Sequence, residues 1–279
     1  MLISDSELQN PVGDPAAALA EFNMMENINL LILEHCNLAC THCGTGSPFA
    51  KNISHPVASF FKWLDLLESE EVPFKFISLT GGEPFLHPEM RNGSIVRKLR
   101  TRYPSKRVGV TTNFFWGGNE ERMEEYAPMI GMMNGGLAIS VYEPIIKKMG
   151  GRDQFDQNVQ RLRELCPNTW ITLEERKEFL AWEFREEQQV VTKPCATSDC
   201  FNLKPDGKLT HCSLGIAAQN IPRYASIVKR SEEMFLDLEN FKEIGGKEKF
   251  ISWSRKYPFD VCSNCTMWEG KFEPWRSVR

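Results

Sequence analysis

Three cysteines, Cys36, Cys40 and Cys43, fall within eight residues directly behind an apolar run, 29–34, in the segment E-H-C-N-L-A-C-T-H-C-G. A second apolar run, 74–80, ends in Gly81, Gly82, Glu83 and Pro84. Three thiolates in so short a loop can hold three irons of a [4Fe-4S] cube and leave the fourth iron open to a further ligand. Zinc is the alternative, but it prefers four ligands with Cys-x2-Cys spacing, and here His35 or His42 would have to complete the set. The three-residue gap between Cys36 and Cys40, the strand just upstream and the separate G-G-E-P segment favour the cluster.

The rest of the N-terminal two thirds alternates strand-like and helix-like segments. Strands are predicted over 29–34, 74–80, 107–112, 137–141, 170–173 and 189–192. Helices are predicted over 57–67, 88–102, 120–132 and 153–165, with a charged one over 175–186. Ser54 and Pro56 are the expected cap and first-turn residues of the first helix. Strands alternating with helices of ten to fifteen residues imply parallel strands joined by right-handed crossovers. In such a fold the chemistry gathers at the C-terminal strand ends. The cysteine loop, Gly81 to Glu83, Asn113 and Ser140 to Tyr142 all fall there in this reading.

Composition narrows the setting. The chain has 279 residues, 42% of them hydrophobic, a formal net charge of -4 and nine cysteines. It shows neither a signal-peptide pattern nor an apolar stretch near the ~20 residues a membrane helix needs. A reducing, cytoplasmic location is therefore expected, where cysteines serve as metal ligands rather than disulfides. Basic residues are scattered, so neither nucleic acid nor membrane is an expected partner. Residues 1–27 read as a short polar extension, too small for a peptide-recognition domain, ahead of an α/β unit over 28–192 and an appended unit over 193–279.

The Cys-x3-Cys-x2-Cys loop followed by G-G-E-P resembles the radical S-adenosylmethionine (SAM) superfamily. That resemblance implies a partial (β/α)6 TIM-like barrel, open on one side, whose [4Fe-4S] cluster binds SAM through its open iron. The cluster cleaves SAM to methionine and a 5'-deoxyadenosyl radical, which takes a hydrogen atom from the substrate. Carried over by motif, Cys36, Cys40 and Cys43 are the metal ligands, and Gly81, Gly82 and Glu83 contact the SAM amino group. Asn113 and Ser140 suit the ribose and the methionine carboxylate. His42, between two ligands, reads as a neighbour of the cluster, and a flavodoxin- or ferredoxin-type donor would supply the electron.

Five of the remaining cysteines, Cys195, Cys200, Cys212, Cys262 and Cys265, lie in the last third. Pro205, Asp206 and Gly207 form a turn between two short alternating runs, a hairpin that would set Cys200 opposite Cys212. A zinc ribbon would also use a turn-borne pair and a Cys-x2-Cys, but the spacing Cys195-x11-Gly207-x4-Cys212 followed by one Cys-x2-Cys is similar to the twitch domain of radical SAM enzymes. That resemblance implies a second, fully ligated [4Fe-4S] cluster on Cys195, Cys212, Cys262 and Cys265. Cys200 is the departure: it is open to being a replacement ligand, a hydrogen donor or a spare thiol. Cys166 reads as a core residue.

A fully ligated cluster near the substrate can accept an electron, so the implied net reaction is the oxidation of a small molecule such as an aminocyclitol or sugar. Cross-linking or epimerisation of a ribosomally made peptide is the alternative. Tyr142, Glu143 and Glu174, just after the fourth and fifth strands, are the candidate acid or base groups.

Overall fold

The computed structural model describes residues 27–175, 178–191, 201–224, 226–227 and 232–278. Five parallel strands alternate with helices. They are β1 (Asn27–Leu33), β2 (Phe76–Gly81), β3 (Arg107–Thr112), β4 (Gly136–Val141) and β5 (Ile171–Glu175). Between them run α1 (Ala58–Ser69), α2 (Pro88–Arg91), α3 (Ser94–Arg102), α4 (Glu120–Gly131), α5 (Glu143–Lys148) and α6 (Arg152–Leu165). The helix predicted over 88–102 is split in two by Gly93, which takes φ 67. The cap expected of Ser54 is also absent: Ser54 bridges Leu33, and α1 starts from Val57 without a side-chain cap.

After β5 come β6 (Glu178–Leu180), β7 (Phe201–Leu203), β8 (Lys208–Thr210), α7 (Ser213–Asn220), β9 (Phe235–Asp237), α8 (Gly246–Ser254) and β10 (Phe272–Pro274). One sheet of eight strands has the order β5-β4-β3-β2-β1-β7-β8-β9, and β6 pairs separately with β10. The parallel, partial TIM-like core stands, with one correction: after β1 to β5, the sixth strand expected over 189–192 is not seen among the described residues. Residues 189–191 form no strand. The reason lies in where the backbone of this stretch is bonded: Gln189 N donates to Ser263 O (2.7 Å) and Arg185 N to Asn264 O (2.8 Å). These bonds draw the segment toward Cys262 and Cys265. Nor is there a charged helix over the described residues of 175–186, because 178–180 pair antiparallel with the C-terminal tail.

The free edge of β1 is taken by β7, parallel, with Ile28 opposite Phe201 and Leu30 opposite Leu203. β7 and β8 form the predicted hairpin in the register Asn202↔Thr210, Leu203↔Leu209, which is the register the expected Cys200–Cys212 pairing requires. Cys200 itself lies outside the described residues. Trp63 of α1 fixes the turn by donating from Nε1 to Pro205 O (3.0 Å).

Side chains alternate across each strand. The outer faces carry Ile28, Leu30, Ile77, Leu79, Ile139 and others, all buried under the helices, with Phe60, Leu64 and Leu67 of α1 in the same core. The inner faces are different in kind: Asn29, Ser78, Thr80, Thr111 and Ser140 point into the barrel.

Candidate active site

The cysteine loop leaves β1 through Glu34 and His35 and is stitched to the end of β2. Gly82 N donates to Leu33 O (2.9 Å) and Glu83 N to His35 O (3.1 Å). A Cβ on Gly81 (φ 132) would stand 2.0 Å from Leu33 O, and one on Gly82 would stand 1.7 Å from His35 O. The double glycine is thus demanded by the close approach of the two strand exits. This refines the expectation of an approach to a ligand, although the backbone of both glycines also lines the barrel cavity.

Glu83 is 1% exposed, and its carboxylate ties β2 to β3. Oε1 accepts from Thr112 Oγ1 (2.7 Å) and Phe85 N (3.1 Å), and Oε2 accepts from Asn113 N (2.7 Å). Burial outweighs these three donors and pushes the group up to about 7. Asn113 completes the connection to the loop: its Nδ2 donates to Asn37 Oδ1 (2.7 Å) and points at Cys36 Sγ (3.7 Å).

Cys36, Cys40 and Cys43 line one wall of a cavity of about 470 Å³, together with Gly81, Gly82 and Glu83. Asn113, Ser140 and Tyr142 line it as well, so these predicted residues meet in one place. Burial raises the Cys36 thiol far above its ordinary range and pushes Cys40 up to about 11, so a metal must displace protons to bind there. Donors are already aimed at the sulfurs: Leu38 N lies 3.4 Å from Cys36 Sγ, and Trp275 Nε1 lies 3.1 Å from Cys40 Sγ. Three thiols on one wall with N–H donors directed at them are the donor set an iron–sulfur cluster takes. Among the described residues, no three His, Cys, Asp or Glu side chains are grouped closely enough to hold a single metal ion. His42 uses both ring nitrogens, accepting at Nδ1 from Trp182 N (3.3 Å) and donating from Nε2 to Glu273 Oε2 (3.2 Å).

The candidate acid and base groups separate. Tyr142 faces the cavity and stacks on Phe179 at 5.8 Å and 12°. Glu174 pairs in register with Ser140 on the edge strand but is not among the residues lining the cavity. Glu143 is exposed on α5 and ion-paired with Lys147 (3.4 Å). Sequence reasoning missed Asn29, Ser78, Thr80 and Thr111 on the inner faces, and Asn202 and Ser213 from the hairpin strand β7 and helix α7, all of which line the cavity. Asn202, Asn29, Ser78 and Gly109 form one row across four neighbouring strands. In β2 a signal was present, Ser78 and Thr80 alternating with Ile77 and Leu79, whereas Asn29 is followed on its face of β1 by Leu31 and Leu33.

Of the second cysteine group, Cys212, Cys262 and Cys265 are all buried, and none of the described cysteines is in a disulfide. His211, next to Cys212, packs 6.0 Å from Phe259, which brings the end of the hairpin beside the Cys262 segment. Cys265 bridges Phe184, and neighbouring Trp182 carries a buried Nε1 donor without a hydrogen-bond acceptor among the described residues. Cys195 and Cys200 lie outside the described residues.

The radical SAM superfamily model matches residues 30–173, more than half of the chain. The chain belongs to the radical SAM superfamily, whose members bind SAM and a [4Fe-4S] cluster. Among solved structures, it is similar to BtrN in complex with AdoMet and 2-DOIA. The identity is 14% and the TM-score 0.58, over 87% of this chain and 93% of that one. It also matches Streptococcus suis SuiB bound to precursor peptide SuiA, with 10% identity and TM-score 0.46 over 96% of this chain and 79% of that one. A third match is anSMEcpe with bound AdoMet, with 11% identity and TM-score 0.45 over 85% and 80%. No curated protein matches the chain by sequence. Among the described residues, no helix is long and apolar enough to cross a membrane.

Proposed function

We propose that this radical SAM enzyme oxidises a polar small molecule of the aminocyclitol or sugar kind held in the barrel, and that residues 193–279 act as a twitch-like unit with a second [4Fe-4S] cluster. The observation that carries the reading is the character of the inner faces. The side chains of Asn29, Ser78, Thr80, Thr111 and Ser140 line the cavity, and none has a hydrogen-bond partner among the described residues. Polar groups facing inward and left unpaired by the protein suit a ligand that brings its own hydroxyl or amino groups. Among the described residues that line the cavity there is no Lys or Arg. The crystal structure of BtrN, similar in fold, holds AdoMet together with 2-DOIA, which agrees with a small-molecule substrate.

When bound, the cluster and SAM supply a one-electron cleavage whose 5'-deoxyadenosyl radical removes a hydrogen atom from the substrate. Cys36, Cys40 and Cys43 would hold that cluster, with Gly81, Gly82, Glu83, Asn113 and Ser140 around SAM. Glu83, with its two oxygens fixed by β3, keeps the strand exits in register and offers a carboxylate toward an ammonium group. Tyr142, which faces the cavity, would move a hydroxyl proton, and Glu174 stands beside Ser140 on the edge strand. Cys195, Cys212, Cys262 and Cys265 would hold the second cluster, which would supply a one-electron acceptor for the oxidation. A flavodoxin- or ferredoxin-type protein would return the electron to the first cluster.

The test is to incubate the anaerobic enzyme with SAM, reductant and carbon-deuterated aminocyclitols or sugars, and separately with deuterated peptides. Deuterium should reach 5'-deoxyadenosine from a polyol. Label arriving only from a peptide would contradict the proposal.

A further inference from the structure

The cysteine loop has little regular structure of its own, yet it does not stand alone. The end of the chain, more than two hundred residues away, lies antiparallel along it: Thr41 N donates to Arg276 O (3.0 Å), and Val278 N donates to Ala39 O (2.8 Å). Cys40 and Ser277 face each other as a bridge pair, and Thr41 Oγ1 also donates to Arg276 O (2.9 Å). Glu273 accepts from His42 Nε2 (3.2 Å), and β10 is anchored in turn on β6. At the centre of this strap, Trp275 Nε1 lies 3.1 Å from Cys40 Sγ.

We propose that the 272–278 segment is a built-in strap for the cluster loop and that Trp275 is a positioning residue whose indole N–H tunes the SAM cluster through Cys40. An indole nitrogen is a donor only, so the Nε1–H must point at the sulfur. Hydrogen bonds to ligand sulfurs are among the factors that set the reduction potential of an iron–sulfur centre. Donation to a thiolate stabilises the form with more negative charge, which is the reduced cluster. Trp275 therefore makes the cluster easier to reduce. The backbone pairs on either side keep the donor in place, because Thr41 and Val278 fix the register in which Trp275 meets Cys40. This inference concerns the family's own cluster and is independent of which substrate the barrel takes.

Trp275→Phe keeps the ring and removes the N–H. The test is a redox titration of the full-length, reconstituted enzyme, following by electron paramagnetic resonance the signal that added SAM perturbs. At the potential where the wild-type cluster is half reduced, the Trp275→Phe cluster should be less than half reduced. A midpoint that is unchanged or moved to a more positive value would overturn the role given to Trp275. The strap has its own readout, hydrogen exchange of the wild-type holoenzyme followed by mass spectrometry. The amides of Thr41 and Val278 should exchange slowly, and exchange at the rate of free peptide would overturn the strap.

Discussion

Glu83 sits at the crossing of the site's demands, buried and accepting three hydrogen bonds. Its folded pKa of about 7 lies above the ordinary 4.5. A carboxyl raised in this way contributes its full stability below about 4.5 and loses it as pH rises through about 7, because ionisation is disfavoured in the buried site. The swing is on the order of 3 kcal/mol. Between pH 5 and pH 7.5 the metal-free wild type should therefore lose thermal stability relative to Glu83→Gln, which lacks the titrating group. Identical slopes would contradict this account of Glu83. The cysteines and the G-G-E-P run were legible because such spacings rarely arise without a use. Asn29 was not legible: within N-L-L-I-L-E it passes for the polar start of a buried strand. Only the register that sets it beside Ser78 and Asn202 shows that it faces the barrel interior.

The β1 and β2 exits and the loop between them act as one element. Gly82→Ala would put a methyl group 1.7 Å from His35 O, so the cysteine loop would have to move. A loss of stability on the order of 3 kcal/mol is expected. Iron loading at the first site should fall with it, measured by melting and iron analysis. Unaltered values of both would show that the loop is not held from β2. The strands β1 to β5 and most helices were legible because each has its own apolar period and its own breakers. The stretch after β5 was not. Its Glu, Leu and Ala favour a helix by propensity, but pairing with a tail about ninety residues further on makes β6, a non-local preference that no local window contains. The same non-local pairing hides the strap, since nothing in F-E-P-W-R-S-V announces a partner near residue 40.

At the scale of the whole molecule, one sheet runs from β5 through β1 into the hairpin, so β7 contributes Asn202 directly to the cavity wall. The later cysteines were legible as a group but not in their arrangement, because side chains far apart in sequence take their relative geometry from the fold. Replacing Cys262 and Cys265 by alanine should cost about four of about eight irons per chain and leave SAM cleavage uncoupled from product. Iron content and product yield equal to wild type would contradict a second cluster. The central claim is that the wall formed by Cys36, Cys40 and Cys43 carries the radical chemistry. It is tested most directly by reconstituting the wild type and the Cys36→Ala, Cys40→Ala, Cys43→Ala triple variant without oxygen, adding dithionite and SAM, and measuring 5'-deoxyadenosine. The wild type should produce it and the triple variant should produce none while retaining about four irons; 5'-deoxyadenosine from the triple variant would contradict the account.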